Sequence, residues 1–236
     1  MTSPTLQPLV LVPGLLCDAL LWSPQVQGLA DVADCWVADA TRQDTVDGMA
    51  RHLLEQCPFE RFALAGLSMG GYVAQRVCHL APERVQRLAL LDTNAVADSE
   101  AATAQRHDLM RLAPVEGMQA VAELLLPRLV WPQARDHDRL AALVRTMARN
   151  VGPKAFIRQE NAIIGRPDQR EALASITCPT LVACGAQDVL TPPAVHEEMS
   201  RRVPGAQLVV FADSGHLSTL EQPEAVNDAL RAWLVH

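Results

Sequence analysis

The stretch FALAGLSMGG, residues 62–71, joins a short apolar run to a helical pattern. Its first four residues predict a buried strand, and Val73, Val77 and Leu80 follow at helical spacing. Between them lies a Gly-x-Ser-x-Gly pattern centred on Ser68. A serine in such a pattern, between a strand and a helix, lies on a sharp, strained turn that projects its hydroxyl above the edge of the sheet. We therefore predict an α/β fold with Ser68 at the carboxyl end of a strand.

The same alternation of apolar runs and helical patterns continues on both sides of this stretch, which indicates parallel strands joined by helical crossovers. We predict a mostly parallel sheet of about six strands, flanked by helices. The apolar runs that form its strands are residues 9–12, 36–38, 62–65, 85–91, 180–184 and 207–211. A helix is predicted over residues 46–56, and the last helix opens with Pro223, since proline suits the first turn of a helix.

Between residues 96 and 175 the strand pattern stops and only helical patterns remain. Four helices are predicted there, over residues 98–112, 115–126, 136–150 and 153–164. The predicted breaks are at Pro114, Pro127, Gly152-Pro153 and Gly165. The chain is thus expected to fold as one sheet domain, residues 1–95 and 176–236, which is interrupted by a helical insertion, residues 96–175.

Composition limits the classes of function. The 236 residues suit one large α/β domain, and the formal charge of −7 comes with scattered arginines rather than a basic stripe. We therefore expect no nucleic-acid partner. No stretch approaches the ~20 apolar residues of a membrane span, and the apolar run from Leu9 to Leu16 is broken by Pro13-Gly14. Neither a membrane anchor nor a signal peptide is expected.

The six cysteines show no Cys-x-x-Cys spacing and no clustering with histidine, which argues against a metal site or a disulfide scaffold. We expect a reduced, cytoplasmic protein that needs neither a metal nor a cofactor. The expected partner is a small-molecule substrate, and the sequence leaves the oligomeric state open.

Ser68 needs a base within hydrogen-bond reach, because a serine hydroxyl is a weak nucleophile by itself. His216 is the best candidate, since it lies in a glycine-containing loop after the last predicted strand. Open α/β sheets place their sites at the carboxyl ends of strands. The other histidines lie mostly in helical patterns among charged residues, which favours solvent-exposed positions; they are His52, His79, His107, His137, His196 and His236.

An acid must orient this base and stabilise its charged form. Asp188 follows the strand predicted over residues 180–184 and is our first choice. Asp92 is a serious alternative, because it also follows a strand and that strand neighbours the strand of the serine. Asp213 is expected to form a local turn hydrogen bond instead.

Attack of Ser68 on a carbonyl group would need two N–H donors for the oxyanion of the transition state. One is expected from the backbone of Met69, at the start of the helix. The other is expected from the loop after the first strand, where Gly14 permits a tight turn and Leu15 is our choice of donor.

These loops occur in the order oxyanion loop, serine, aspartate, histidine, and the chain resembles the α/β-hydrolase superfamily through nearly its whole length. The segments that look like its small bacterial serine esterases and enol-lactonase-like hydrolases are GLSMGG at 66–71, CGAQDVLTPP at 184–193 and SGHLSTLEQPE at 214–224. The resemblance implies that residues 96–175 form a cap over the active site. It also implies a serine hydrolase that cleaves a small carboxylic ester, thioester or lactone through an acyl-serine intermediate.

The chain departs from this family at two places. Its oxyanion loop begins with Pro13-Gly14 where family members usually have His-Gly, which removes a side chain that helps to hold the loop. Only eight residues precede the first buried strand, so the opening hairpin of the family's sheet is expected to be missing.

Three alternatives remain open on the same catalytic residues. They are hydrolysis of a carbon–carbon bond, acyl transfer to an acceptor other than water, and a ligand receptor that uses the capped pocket without turnover. The underside of the cap is expected to be apolar and to carry methionines. Arg158 and Arg166, near the end of the cap, are candidates for contact with a substrate carboxylate.

Overall fold

The computed structural model of the chain describes residues 6–134 and 136–235. Its strands are β1 Gln7–Val12, β2 Ala33–Val37, β3 Phe62–Leu67, β4 Val85–Leu91, β5 Thr180–Gly185 and β6 Gln207–Phe211. They form a six-stranded sheet in the order β2-β1-β3-β4-β5-β6, and every neighbouring pair is parallel. The expected parallel sheet of about six strands is confirmed.

Helices cover both faces of the sheet. In chain order they are α1 Ser23–Gly28, α2 Val46–Gln56, α3 Met69–Leu80, α4 Glu100–Leu129, α5 His137–Ile164, α6 Pro193–Arg202, α7 Ser218–Glu221 and α8 Pro223–Val235. Helix α2 has the bounds predicted from the sequence. Thr45 caps it, because the threonine hydroxyl accepts a 3.0 Å hydrogen bond from the N–H of Gly48.

Alternate residues of the central strands point to opposite faces of the sheet, so each face has its own core. Leu9 and Leu11 of β1 pack on the face covered by α1, α8 and the helical insertion, whereas Val10 and Val12 pack on the face covered by α2, α3 and α6. All four side chains are buried. Because both faces of a parallel sheet are covered, its strands occur in the sequence as continuous apolar runs.

Helices α4 and α5 form the helical insertion between β4 and β5 and pack against each other. Each is kinked where a glycine leaves the helical conformation, with φ of +81° at Gly117 and +72° at Gly152. The break predicted at Gly152-Pro153 is confirmed, and Pro153 begins the next helical segment, a position that suits proline. The breaks predicted at Pro114 and Pro127 are wrong, since both prolines lie inside α4. Gly117 makes the break because glycine adopts a positive φ without steric cost.

Within the two described ranges, no helix is long and apolar enough to cross a membrane. The six cysteines are free thiols. No three His, Cys, Asp or Glu side chains of residues 6–134 and 136–235 come together in a way that could hold a metal ion.

The carboxyl ends of the parallel strands share one edge of the sheet, and backbone strain is concentrated there. Four non-glycine residues of the described chain have a positive φ, and each follows the end of a strand: Leu16 after β1 (63°), Ser68 after β3 (55°), Asp92 after β4 (45°) and Asp213 after β6 (54°). Non-glycine residues rarely adopt such angles, and strain of this kind clusters at functional sites. This edge is therefore the candidate site.

Candidate active site

Ser68 occupies the sharp turn between β3 and α3 that the sequence predicts. Its backbone has φ of 55° and ψ of −118°, and helix α3 begins at the next residue. The flanking glycines let backbone segments cross at close range. A Cβ on Gly66 would lie 2.2 Å from the oxygen of Gly70, and a Cβ on Gly70 would lie 2.1 Å from the oxygen of Val12. Any side chain at these two positions would collide with the backbone, so the turn itself requires the glycine pattern.

His216 and Asp188 continue a line of hydrogen bonds that starts at Ser68. His216 Nε2 lies 2.8 Å from Ser68 Oγ, and His216 Nδ1 lies 2.8 Å from Asp188 Oδ2. Oδ1 of Asp188 accepts the backbone N–H groups of Leu190 and Thr191 at 2.8 and 3.0 Å, and the Thr191 hydroxyl donates to Oδ2 at 2.6 Å. These donors fix the carboxylate facing Nδ1. With its proton on Nδ1, the imidazole is left with Nε2 as an acceptor for the serine hydroxyl.

Burial and charge set the protonation states of this pair. Both side chains are buried, with 2% of each residue exposed. Burial lowers the pKa of His216, but the carboxylate of Asp188 outweighs burial and raises that pKa above its ordinary value. Burial likewise tends to raise the pKa of Asp188. The charge and hydrogen bond of His216, together with the hydrogen bonds from Thr191, outweigh burial and hold that pKa below its ordinary value. Asp188 is therefore ionised when His216 gains a proton.

Asp92, the alternative acid, has other partners. Its Oδ1 accepts the N–H of Gly185 at 2.9 Å, and its Oδ2 accepts the hydroxyl of Ser218. Asp92 is fully buried, and burial together with repulsion from Asp188 raises its pKa well above the ordinary range. Through these contacts Asp92 joins the end of β5 to the start of α7, so its role is structural. Asp213 is exposed, and it turns the chain with its backbone.

The two expected oxyanion donors lie on either side of the nucleophile. Met69 is the first residue of α3, and the first N–H groups of a helix have no acceptor within it. The side chain of Met69 is fully buried, so its backbone N–H is the group that can bind an oxyanion at this position. Leu15 lines the cavity next to Ser68, and a Cβ on Gly14 would lie 3.3 Å from the Cβ of Ser68. The geometry is compatible with the roles predicted for both N–H groups.

A cavity of about 270 Å³ opens beside Ser68 and His216. Its walls come from the loops of the sheet domain and from the helical insertion. The larger aliphatic residues that line it are Leu15, Leu16, Leu67, Val96, Leu109, Leu125, Leu129, Ile163, Leu190 and Leu217. The insertion thus supplies apolar walls as expected, but no methionine of the described residues lines the cavity.

Three arginines line this cavity, and two of them are already paired with carboxylates. Arg106 lies 3.1 Å from Asp98 and 2.8 Å from Glu160, and Arg166 lies 2.8 Å from Asp98. For the third, Arg128, the described residues provide no ion-pair partner within 4.0 Å. Arg128 is exposed at the end of α4.

The two arginines predicted from the sequence differ in position. Arg166 lines the cavity, but its guanidinium group also donates to the backbone oxygens of Val96 and Ile163 at 2.9 and 2.8 Å. Arg158 does not line the cavity, and its Nε donates to the oxygen of Thr41 at 2.9 Å. Arg158 lies on α5, whereas Arg166 follows the end of this helix, so the two guanidinium groups reach different parts of the molecule.

Glu221 is a buried group at this edge that the sequence analysis missed. Its carboxylate accepts the N–H groups of Trp131, Gly215 and Leu217 at 2.9, 3.0 and 3.1 Å. Gly215 and Leu217 are the neighbours of His216 in the chain. Glu221 therefore binds the backbone on both sides of His216 and connects this loop to the helical insertion.

His196 differs from the expected pattern of exposed histidines. It is fully buried, its Nε2 accepts the N–H of Thr93 at 2.9 Å, and burial lowers its pKa to about 4. It is a neutral structural group that the helical pattern alone could not distinguish from a surface residue. The others are exposed (His79, His107), half-buried (His52, His137) or outside the described residues (His236).

Comparison with known proteins places this geometry in a family. The model of the alpha/beta hydrolase family matches residues 9–229. A thermophilic esterase from Thermogutta terrifontis, solved with malate bound, is 32% identical with a TM-score of 0.88, over 98% of this chain and 90% of that chain. The enol-lactonase from Burkholderia xenovorans LB400 is 24% identical with a TM-score of 0.89, over 100% of this chain and 94% of that chain.

A curated relative matches this chain over a similar share of its length. The (E)-2-((N-methylformamido)methylene)succinate hydrolase of Acinetobacter baylyi is 26% identical, over 97% of this chain and 90% of that protein. The family match covers the sheet, the insertion and all the loops of the candidate site. This chain is a hydrolase of the alpha/beta hydrolase family.

Proposed function

We propose that the chain is a serine hydrolase that cleaves a small carboxylic ester, thioester or lactone through an acyl-serine intermediate. The observation that carries this proposal is the unbroken line of two 2.8 Å hydrogen bonds from Ser68 through His216 to Asp188, beside a cavity. The family match and the similarity to an esterase support the same chemistry.

In the first half of the reaction, His216 Nε2 takes the hydroxyl proton while Ser68 Oγ attacks the carbonyl carbon. Asp188 keeps the other ring proton on Nδ1 and stabilises the imidazolium. His216 then gives its proton to the leaving oxygen or sulfur, and the acyl group stays on Ser68. In the second half, His216 takes a proton from water, the water oxygen attacks the acyl carbon, and the proton returns to Ser68 as the acid leaves.

The carbonyl oxygen becomes negatively charged in both tetrahedral intermediates. We assign the backbone N–H groups of Leu15 and Met69 as its two donors. Backbone donors held by a loop and by a helix start are oriented before the reaction, so no reorganisation is needed as the charge develops. The positive end of the α3 dipole acts in the same direction.

The cavity limits the size of the acyl group. Its volume of about 270 Å³ lies just below the roughly 300–1,000 Å³ of small-molecule sites. We propose that residues 96–175 act as a cap, because Leu109, Leu125 and Ile163 of this insertion form apolar walls beside the serine. Such walls favour a short aliphatic or aromatic group.

A series of p-nitrophenyl esters tests this function. We expect kcat/KM to be highest for acetate or butyrate, to be lower for octanoate, and to be about 100-fold lower for palmitate. Forcing the extra methylenes into a cavity too small for them displaces its walls at a cost of roughly 1–3 kcal/mol, and about 2.7 kcal/mol gives this factor. A preference for palmitate would contradict the proposed limit that the cavity sets on the acyl group. Absence of turnover for every ester, thioester and lactone offered would favour the receptor alternative.

The charges around the cavity favour an acidic substrate. Three arginines and one carboxylate, Asp98, line the cavity, and Glu160, which pairs with Arg106, adds a second carboxylate, so the group has a formal charge of +1 although the whole chain carries −7. Asp98 and Glu160 pair with Arg106 and Arg166, and Arg128 is left for a ligand. We propose that the substrate carries a carboxylate that Arg128 contacts. The malate bound to the esterase and the succinate in the relative's name are consistent with such a group.

Mono-p-nitrophenyl glutarate and p-nitrophenyl pentanoate test this contact, because they match in length and differ in the terminal carboxylate. We expect the glutarate to have about 3- to 5-fold higher kcat/KM, and Arg128→Gln to remove that advantage while leaving the pentanoate unchanged, since an ion pair with an exposed arginine contributes roughly 0.2–1 kcal/mol. Arg111→Gln is the matched control, because Arg111 is an exposed arginine of α4 that pairs with Asp108 outside the cavity. Equal effects of Arg128→Gln on both esters would refute the contact.

A further inference from the structure

The loop after β1, residues 13–17, carries the proposed donor Leu15 and is strained. Leu16 has φ of 63°, which a residue with a side chain rarely adopts. Inside the loop, the N–H of Cys17 donates to the oxygen of Gly14 at 3.2 Å. Pro13 has neither an N–H nor a polar side chain, so it adds no donor. The shape of this loop therefore depends on contacts from other parts of the chain.

Gln159 of α5 provides such a contact. Its Oε1 accepts the N–H of Leu16 at 3.1 Å, and its Nε2 donates to the oxygen of Ala40 at 3.2 Å. The side chain is fully buried and joins the helical insertion to the loops that follow β1 and β2. A flipped amide would set its NH₂ group against the N–H of Leu16 and its oxygen against the oxygen of Ala40. The two partners therefore fix the orientation of the amide.

We infer that Gln159 is a positioning residue for the oxyanion hole, an inference that rests on the proposed function. Fixing the N–H of Leu16 fixes the peptide plane that joins it to Leu15. On the other side of Leu15, the backbone at Gly14 passes close to the nucleophile, since a Cβ added to Gly14 would lie 3.3 Å from the Cβ of Ser68. Leu15 thus lies between two anchored residues, and one anchor comes from the insertion. The insertion orients a catalytic donor in addition to covering the cavity.

Replacement of Gln159 by leucine removes both hydrogen bonds and keeps a similar volume. We expect kcat for the best p-nitrophenyl ester to fall by about 10- to 100-fold, because a displacement of a catalytic group by an ångström costs up to about 10²-fold. KM should stay within about 3-fold, since the N–H of Leu15 binds the oxyanion, which exists in the transition state and not in the bound substrate. The affinity for a trifluoromethyl ketone of the same acyl group should fall by a similar factor as kcat, because its adduct with Ser68 carries the oxyanion.

Two further variants distinguish a misplaced oxyanion donor from the general effect of removing a buried glutamine amide. Gln169→Leu is the matched control: Gln169 is also a buried glutamine near the end of the insertion, and its Nε2 donates to the oxygen of Tyr72 at 3.2 Å. It makes no hydrogen bond to the loop of residues 13–17, so its kcat and its ketone affinity should stay near the wild-type values. Gln159→Glu should recover most of kcat. Burial favours its protonated form, which offers an acceptor to Leu16 and a donor to Ala40.

The outcomes are distinct. Equal losses of kcat in Gln159→Leu and Gln169→Leu, or a change in KM with ketone affinity intact, would overturn the inference. A wild-type chain that neither turns over an ester nor binds the ketone would instead contradict the proposed function. If Gln159→Leu does not fold, Gln159→Asn takes its place, because its side chain is one methylene shorter and cannot reach both partners. The same split between kcat and KM is then expected.

Discussion

Replacement of Ser68 by alanine should lower kcat by roughly 10³-fold or more, because the members of a catalytic triad act as a unit. A fluorophosphonate should label the wild-type chain once, at the hydroxyl that His216 activates across 2.8 Å. The same alanine substitution should abolish this labelling. Hydrolysis of p-nitrophenyl butyrate and the mass of the intact protein after labelling measure the two effects.

A surface serine provides the control for this experiment. Ser175 is exposed, and its hydroxyl donates to the oxygen of Ala172 at 2.7 Å, so Ser175→Ala should be labelled and active like the wild type. The thermal midpoint of Ser68→Ala should change little, since alanine also has a Cβ and the strain of a φ of 55° remains. Labelling that persists in Ser68→Ala would place the nucleophile elsewhere.

The strands were predictable where both faces of the sheet are covered. β3 is buried at every position and β1 at its last four, so their apolar runs are continuous. β2 was predicted over 36–38 instead of Ala33–Val37, so the predicted start is three residues late and the predicted end one residue late. It lies at the edge of the sheet and is half-exposed, and polar residues such as Asp34 interrupt its pattern.

The catalytic loops were predictable because their patterns are local, and the sequence favoured Asp188 as the acid without excluding Asp92. Asp188 and Asp92 follow β5 and β4, which are neighbours in the sheet, so both carboxylates come near His216. Only the hydrogen bonds distinguish them. Asp188 bonds to the imidazole, and Asp92 bonds to Gly185 and to a serine of α7.

The supporting residues depend on contacts between distant parts of the chain. Gln159 bonds to residues 143 and 119 positions away, and nothing in the helical pattern around it marks it as different from a surface glutamine. The same limit applies to the arginines. Kinks at Gly117 and Gly152 change the helical register, so the sequence did not show that Arg128 lines the cavity and Arg158 does not.

Asparagine substitutions of the two acids should have very different effects. In Asp188→Asn, the amide can donate to Nδ1 of His216, which moves the ring proton to Nε2 and removes the acceptor for Ser68. A change of tautomer of this kind in a serine protease lowers kcat by about 10⁴, and we expect a similar loss. In Asp92→Asn, the amide oxygen can still accept the N–H of Gly185, so a loss of no more than about 10-fold is expected from one altered hydrogen bond.

The pH dependence of kcat/KM gives an independent readout of the same assignment. His216 must be neutral to accept the serine proton, so activity falls on the acidic side as the imidazole becomes protonated. Although burial lowers the pKa of His216, Asp188 raises it above the ordinary value of about 6.5, so the wild-type acid limb should lie above that pH. Asp92 also raises the pKa of His216, but less than Asp188 does, so Asp92→Asn should move this limb only slightly, toward lower pH. Asp188→Asn should be slow at every pH, because its tautomer rather than its titration limits the rate. If Asp92→Asn is the slower variant throughout the pH range, the acid lies after β4 and the role given to Asp188 is wrong.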